Sequence, residues 1–129
     1  MVIDPLSEEM IQVGRKLTER LEEIHMPVGA ALWLYFSEAE VWRLVIASPT
    51  VKEHGPQKAY GLIQAELRSA PDTFKSITLS EISAVEPDSP LVSPFHGLMK
   101  IQSPPIGVRL SRSTFNGVFV EGAYIYKLT

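Results

Sequence analysis

Cysteine is absent from the 129-residue chain, which excludes disulfides, thiolate metal ligands and cysteine nucleophiles together. Such a composition suits a reducing compartment, so the expected location is the cytoplasm. Positive charge is not in excess either: 12 Lys and Arg stand against 15 Asp and Glu, for a net charge of −3. Affinity gained by neutralising many phosphates needs clustered cations, so nucleic acid is not an expected partner on charge alone. The opening MVIDPLSEEM is acidic and contains no continuous apolar run, so neither a signal peptide nor a membrane anchor is expected.

Motifs that carry chemistry are missing as well. The three histidines, His25, His54 and His96, fall in separate segments with neither HExxH nor HxH spacing, so no metal site is expected. Neither a GxSxG elbow nor an SxxK pair occurs, and no nucleophile arrives with an activating base. Glu53 and His54 are adjacent, but neighbours on an extended segment point apart and do not make a dyad. No catalytic residue and no cofactor is assigned, and the balance leans against an enzyme.

The chain does contain the makings of one core. Hydrophobic residues at 45% and charged residues at 21% match an average globular protein, and residues 1–129 are read as a single α+β domain. Asp4-Pro5 reads as a helix start, and Leu6, Met10, Val13, Leu17, Leu21 and Ile24 recur at steps of three and four until Pro27. His25 stands at the C-terminal end of that helix. A second helix starts at Gly55-Pro56 with Ala59, Tyr60, Ile63, Leu67 and Ala70 on one stripe, and Gly61 within it suggests a close neighbour. Ile77 and Leu79 alternate as a strand, Ile82 and Val85 break the parity, and a bulge or second segment is predicted. Ser89-Pro90 and Ser93-Pro94 resemble starts of a short helix burying Phe95, Leu98, Met99 and Ile101.

Two hairpins frame the sheet. In GAALWLYFSEAEVWRLVIAS, a three-residue loop at Glu38 to Glu40 sets Leu34 opposite Leu44 and Trp33 opposite Val45. That register spares Arg43 from burial among Leu and Phe, where an unpaired guanidinium is costly. Asn116-Gly117 is the preferred pair for a two-residue type I′ turn. Counting back from it sets Phe115 against Val118, Arg112 against Glu121, Arg109 against Tyr124 and Val108 against Ile125. The expected order is therefore helix, hairpin, helix, strand, short helix, hairpin, with a largely antiparallel sheet of about five strands and helices packed on it.

With Val108, Leu110, Ala123 and Ile125 facing inward, Arg109, Tyr124 and Tyr126 share the opposite face, and Trp33, Tyr35 and Arg43 are candidates to join them. Aromatic rings with polar edges beside guanidinium groups suit protein interfaces. The same face is open to three uses: cover by one of the protein's own helices, contact with a second copy in a homodimer, or a ligand surface. The leading expectation is a non-enzymatic interaction module that self-associates or binds a protein partner there. The alternative is a small anionic ligand or nucleotide, and a hydrolase activity with it, held by Lys52 and His54 of the 52–56 loop with Arg112 and Asn116 of the 112–116 hairpin.

Overall fold

The computed structural model describes residues 5–96 and 107–129. Helix α1 (Glu8–Glu23) is followed by β1 (Ala30–Phe36), β2 (Val41–Ala47), α2 (Pro49–His54), α3 (Pro56–Ser69), β3 (Ile82–Val85), β4 (Val108–Phe115) and β5 (Val118–Leu128). The strands form one sheet in the order β3-β2-β1-β5-β4. Only the β2–β3 pair is parallel, as its helical connection requires. The α+β class, the element order and the mostly antiparallel five-stranded sheet expected from the sequence are all present.

Helix α1 starts three residues after the expected proline position. Ser7 is its N-cap and accepts from the Met10 N–H at 3.1 Å, with Glu8 and Glu9 in the first turn where the helix dipole favours carboxylates. Asp4 lies outside the described residues. Leu6 and Ile11 flank the cap and are both buried in the same core, the spacing of a hydrophobic staple. At the other end His25 takes φ 64°. There its N–H bonds to the Glu22 carbonyl and that of Met26 to the Leu21 carbonyl, each at 3.0 Å, which closes the helix as a Schellman motif.

The first hairpin departs from expectation by one residue. Phe36 pairs with Val41, so the turn holds residues 37–40, and Trp33 faces Leu44 while Leu34 faces Arg43. A one-residue slip exchanges the faces, and Arg43 therefore sits on the side of Leu32 and Val45, opposite Trp33. The cost of that placement is met by β3 on the sheet edge and the turn before it: Arg43 donates from Nε to Ser83 Oγ at 3.1 Å and from Nη2 to the Ser80 carbonyl at 2.9 Å. The parallel edge strand and its leading turn, brought from outside the hairpin, supply acceptors that the hairpin alone lacks.

Three further expectations change. The stretch after β2, read as a turn, contains the short helix α2, capped by Ser48, whose Oγ accepts from the Thr50 N–H and donates to the Pro27 carbonyl. Ile77 is buried but belongs to no strand; Thr78 opens a 3-10 turn in which Glu81 Oε1 accepts from its N–H at 2.9 Å, and the strand starts only at Ile82. A Cβ at Gly61 would meet nothing within 4 Å, so no close neighbour requires that glycine. Of the proposed short helix, a 3-10 turn at Ser93–Phe95 is present, and Leu98, Met99 and Ile101 lie outside the described residues.

The second hairpin has the register counted from Asn116-Gly117 on both sides of Arg112, from Phe115↔Val118 to Ser113↔Val120 and from Ser111↔Gly122 to Val108↔Ile125; Arg112 and Glu121 interrupt the ladder and meet as an ion pair at 3.7 Å. Both faces of the central strands are buried. Trp33, Leu44, Ile46, Ile82 and Tyr126 pack with α1 and α3, while Leu32, Val45, Ala123 and Ile125 pack with Val92 and Phe95 of the segment preceding β4.

Gly61 sits exposed in the interior of α3. Ala there removes the entropy cost of glycine in a helix, and Gly61→Ala is expected to stabilise the fold by about 0.5–1 kcal/mol. Urea denaturation checks this, and a lower midpoint would mean that the position is constrained.

Candidate functional site

The aromatic face expected to be a docking surface is closed by α1. Trp33 and Tyr126 are fully buried and Tyr35 nearly so. The Trp33 indole N–H points to the Tyr126 hydroxyl at 2.8 Å and the Met10 carbonyl at 3.2 Å, and the Tyr126 hydroxyl donates to the Ile11 carbonyl at 2.6 Å. Gly14, one turn along the helix, is what lets these groups come so close. A Cβ there would stand 2.6 Å from Trp33 Nε1 and nearer still to the Tyr126 hydroxyl. Burial lifts the Tyr126 phenol well above its ordinary range, against the opposing effect of the Trp33 hydrogen bond. This perturbation comes from helix-sheet packing, and such a lock is structural rather than catalytic.

The other members of that face are dispersed. Tyr124 pairs with Trp33 across the strands and stacks edge-on to Tyr126 at 5.3 Å, half-buried, with the Arg109 guanidinium 5.5 Å from its ring centroid. Arg109 itself is exposed. Arg43 is on the opposite face, held by Ser83 and Ser80. The six residues do not form one accessible surface.

The residues proposed for an anion are also separated. Lys52 and His54 end α2, just beyond the sheet end where Ala47 and Leu128 flank Ala30. Arg112 and Asn116 belong to the hairpin tip at the opposite end. His54 lies 4.0 Å from Glu53, Arg112 Nε lies 3.7 Å from Glu121 Oε1, and Asn116 Nδ2 donates to the Pro94 carbonyl at 2.8 Å. A polar cleft of about 530 Å³ between α1 and residues 72–76 is lined by Arg15, Lys16 and Lys75 but equally by Glu9, Glu19 and Asp72, so its charges balance. Among the described residues no group of three or more His, Asp or Glu is placed to hold a metal, and no helix is long and apolar enough to cross a membrane.

An apolar feature lies where the sheet divides. β1 pairs with β5 only from Ala30↔Leu128 to Leu34↔Ala123, yet β5 begins at Val118 and remains paired with β4 as far as its tip. Among the described residues, Val118, Phe119, Val120 and Gly122 therefore have a strand partner on the β4 side alone. β1 continues with β2 to Phe36, and the two hairpins part around a groove of about 270 Å³. Leu34, Phe36, Leu91, Phe95, Val118, Phe119 and Val120 supply its apolar walls, and Glu38 is the charged residue lining it among the described residues. Phe95 packs on Phe115 at 5.5 Å, and the Asn116 bond to Pro94 ties this floor to the hairpin.

A change of strand parity shapes the groove. Leu110 and Phe115, five residues apart, pack in one core, as do Val120 and Ala123, three apart; simple alternation would put each pair on opposite faces. The switch falls at Arg112, whose φ is 43°. Val120 is thereby buried while Val118 is 47% and Phe119 59% exposed. Phe119 is not among the residues expected from the sequence to form a site. The available signal was the triplet Val118-Phe119-Val120 directly after a turn, since a strand of period 2 cannot turn three consecutive side chains to one core.

No protein-family model, curated protein or solved structure matches the chain.

The lock around Tyr126 generates two expectations. Gly14→Ala forces a methyl group against Trp33 and Tyr126 and should cost about 1–3 kcal/mol. Tyr126→Phe strips a donor from the buried Ile11 carbonyl and should cost a similar amount, about 1–3 kcal/mol, at neutral pH. Because the folded phenol is held above its unfolded value, its contribution is complete below about pH 10 and is lost as pH rises beyond that. Chemical denaturation of both proteins should show the wild-type advantage over Tyr126→Phe shrinking above about pH 10; a constant gap would mean that the hydroxyl ionises as readily folded as unfolded.

Proposed function

We propose that the protein is a non-enzymatic interaction module that binds a protein partner at the groove between β1 and β5. The observation that carries this reading is the exposure of Val118 and Phe119 beside an open apolar groove. Leaving such side chains in water forgoes about 1.5–3 kcal/mol for each that could be fully buried, and contiguous exposed apolar surface marks sites where another molecule docks. The groove takes the place of the aromatic sheet face, because Trp33 and Tyr126 are already spent on α1. An anionic ligand shared by Lys52, His54, Arg112 and Asn116 draws no support, since those residues lie at opposite ends of the sheet.

A displayed library of random peptides, selected on the wild-type protein and counter-screened on Phe119→Asp, tests the proposal. Phe119 is too exposed for its replacement to unfold the chain, and matching circular dichroism would verify that. Enriched peptides should bind wild type at least about tenfold more tightly than the variant, a difference of about 1.4 kcal/mol. Failure to enrich any sequence, or equal binding to both proteins, would overturn the reading. Light scattering over a tenfold concentration range should give the monomer mass; a dimer abolished by Phe119→Asp would instead assign the groove to a second copy.

A further inference from the structure

We infer that the occupant of this groove is a single extended peptide segment, which adds as a strand to β5 along residues 118–122, seats one apolar side chain between the hairpins and sets a basic residue near Glu38. The inference rests on the interaction site proposed above and specifies its partner. Its first support is the backbone. Positions 118–122 are strand in conformation, yet among the described residues they pair only with β4. Strand donors and acceptors on the free side call for another strand. A helix, about 10–12 Å across, offers no ladder and does not suit a groove of about 270 Å³. A single strand takes its place at about 4.8 Å from its neighbour.

The β4–β5 hairpin of a second copy is a poor occupant, because two strands would have to enter an opening flanked by the β1–β2 turn on one side and β5 on the other. The outer edge of β4 is a weaker template for the same partner. Arg109 and Arg112 stand along it, and the positive φ of Arg112 interrupts its regular geometry; charges and kinks of this kind blunt edge pairing. The stretch 118–122 contains neither Pro nor Lys nor Arg. Its one acid, Glu121, is 3.7 Å from Arg112. Charge selects the partner further. Glu38 lines the groove, and among the described residues no cation lines it in return, so a Lys or Arg in the segment has a complementary group to meet.

The test uses the tightest peptide from the selection, resynthesised with each backbone amide N-methylated in turn. Methylation at every second position should weaken binding at least about tenfold, because alternate amides face one neighbour in a ladder, while the intervening positions should change little. Amide exchange at alternate residues between Val118 and Gly122 should slow in the complex. Glu38→Gln should weaken binding about two- to fivefold and reduce its salt dependence, the range of an exposed ion pair. A peptide sensitive to Phe119→Asp but showing a helical methylation period, or no protection at 118–122, would overturn strand addition and leave the groove standing. Insensitivity to Phe119→Asp, or no enriched peptide at all, would remove the groove and this inference together.

Discussion

The hydroxyl of Tyr126 is the contact on which the arrangement of helix and sheet depends. It donates to the Ile11 carbonyl of α1 and accepts from the Trp33 indole, joining the first helix, a central strand and the last strand in one buried chain of hydrogen bonds. Such a network is costly if any member is left unpaired, so it admits one position of α1 along the sheet. Two backbone features make it fit. Gly14 removes the side chain that would hold the helix away, and a register irregularity between β1 and β5 lets consecutive residues of β5 serve α1. There Tyr126 bonds Ile11, and Lys127 Nζ lies 3.3 Å from Glu22 Oε1. A bulge sets two residues against one on the partner strand, which is how neighbours in sequence come to point to the same helix.

Once α1 is seated, the aromatic face is interior and cannot also be a contact surface. The opposite face is filled by Val92 and Phe95. With the broad faces of the central strands occupied, the two most exposed large apolar side chains among the described residues, Val118 and Phe119, lie at the end where the hairpins part. The proposed binding role and the lock around Tyr126 are thus two consequences of one packing arrangement. The lock closes the middle of the sheet, and the shorter pairing of β1 with β5 leaves its end open.

The parts of this arrangement legible in the chain are those set by local chemistry. Asn116 and Gly117 both take positive φ, the requirement of the turn that their identities announce, and a two-residue turn fixes the whole β4–β5 register by counting. The spacing of apolar residues in α1 likewise gave Val13, Leu17 and Leu21 as buried. The register of the first hairpin is not legible in this way. Burying an unpartnered guanidinium is unfavourable, and nothing near Arg43 in the sequence indicated that Ser80 and Ser83 would arrive beside it. The loop between β1 and β2 carries no equally decisive turn pair, so its length is set by the distant Ser80 and Ser83 rather than by local sequence.

By itself the sequence determined the element order, the α+β class and the register of the second hairpin, because these follow from helical and strand periodicity and from backbone preferences over a few residues. Only the tertiary structure decided which sheet face α1 covers, which way Arg43 points, and where the strands stop pairing. Those outcomes depend on groups far apart in the chain: Ile11 with Tyr126, Arg43 with Ser83, Pro94 with Asn116. The candidate site belongs to the second kind. Its walls come from β1, β5 and the segment between β3 and β4, and an apolar side chain is exposed or buried only by what the rest of the fold brings to it.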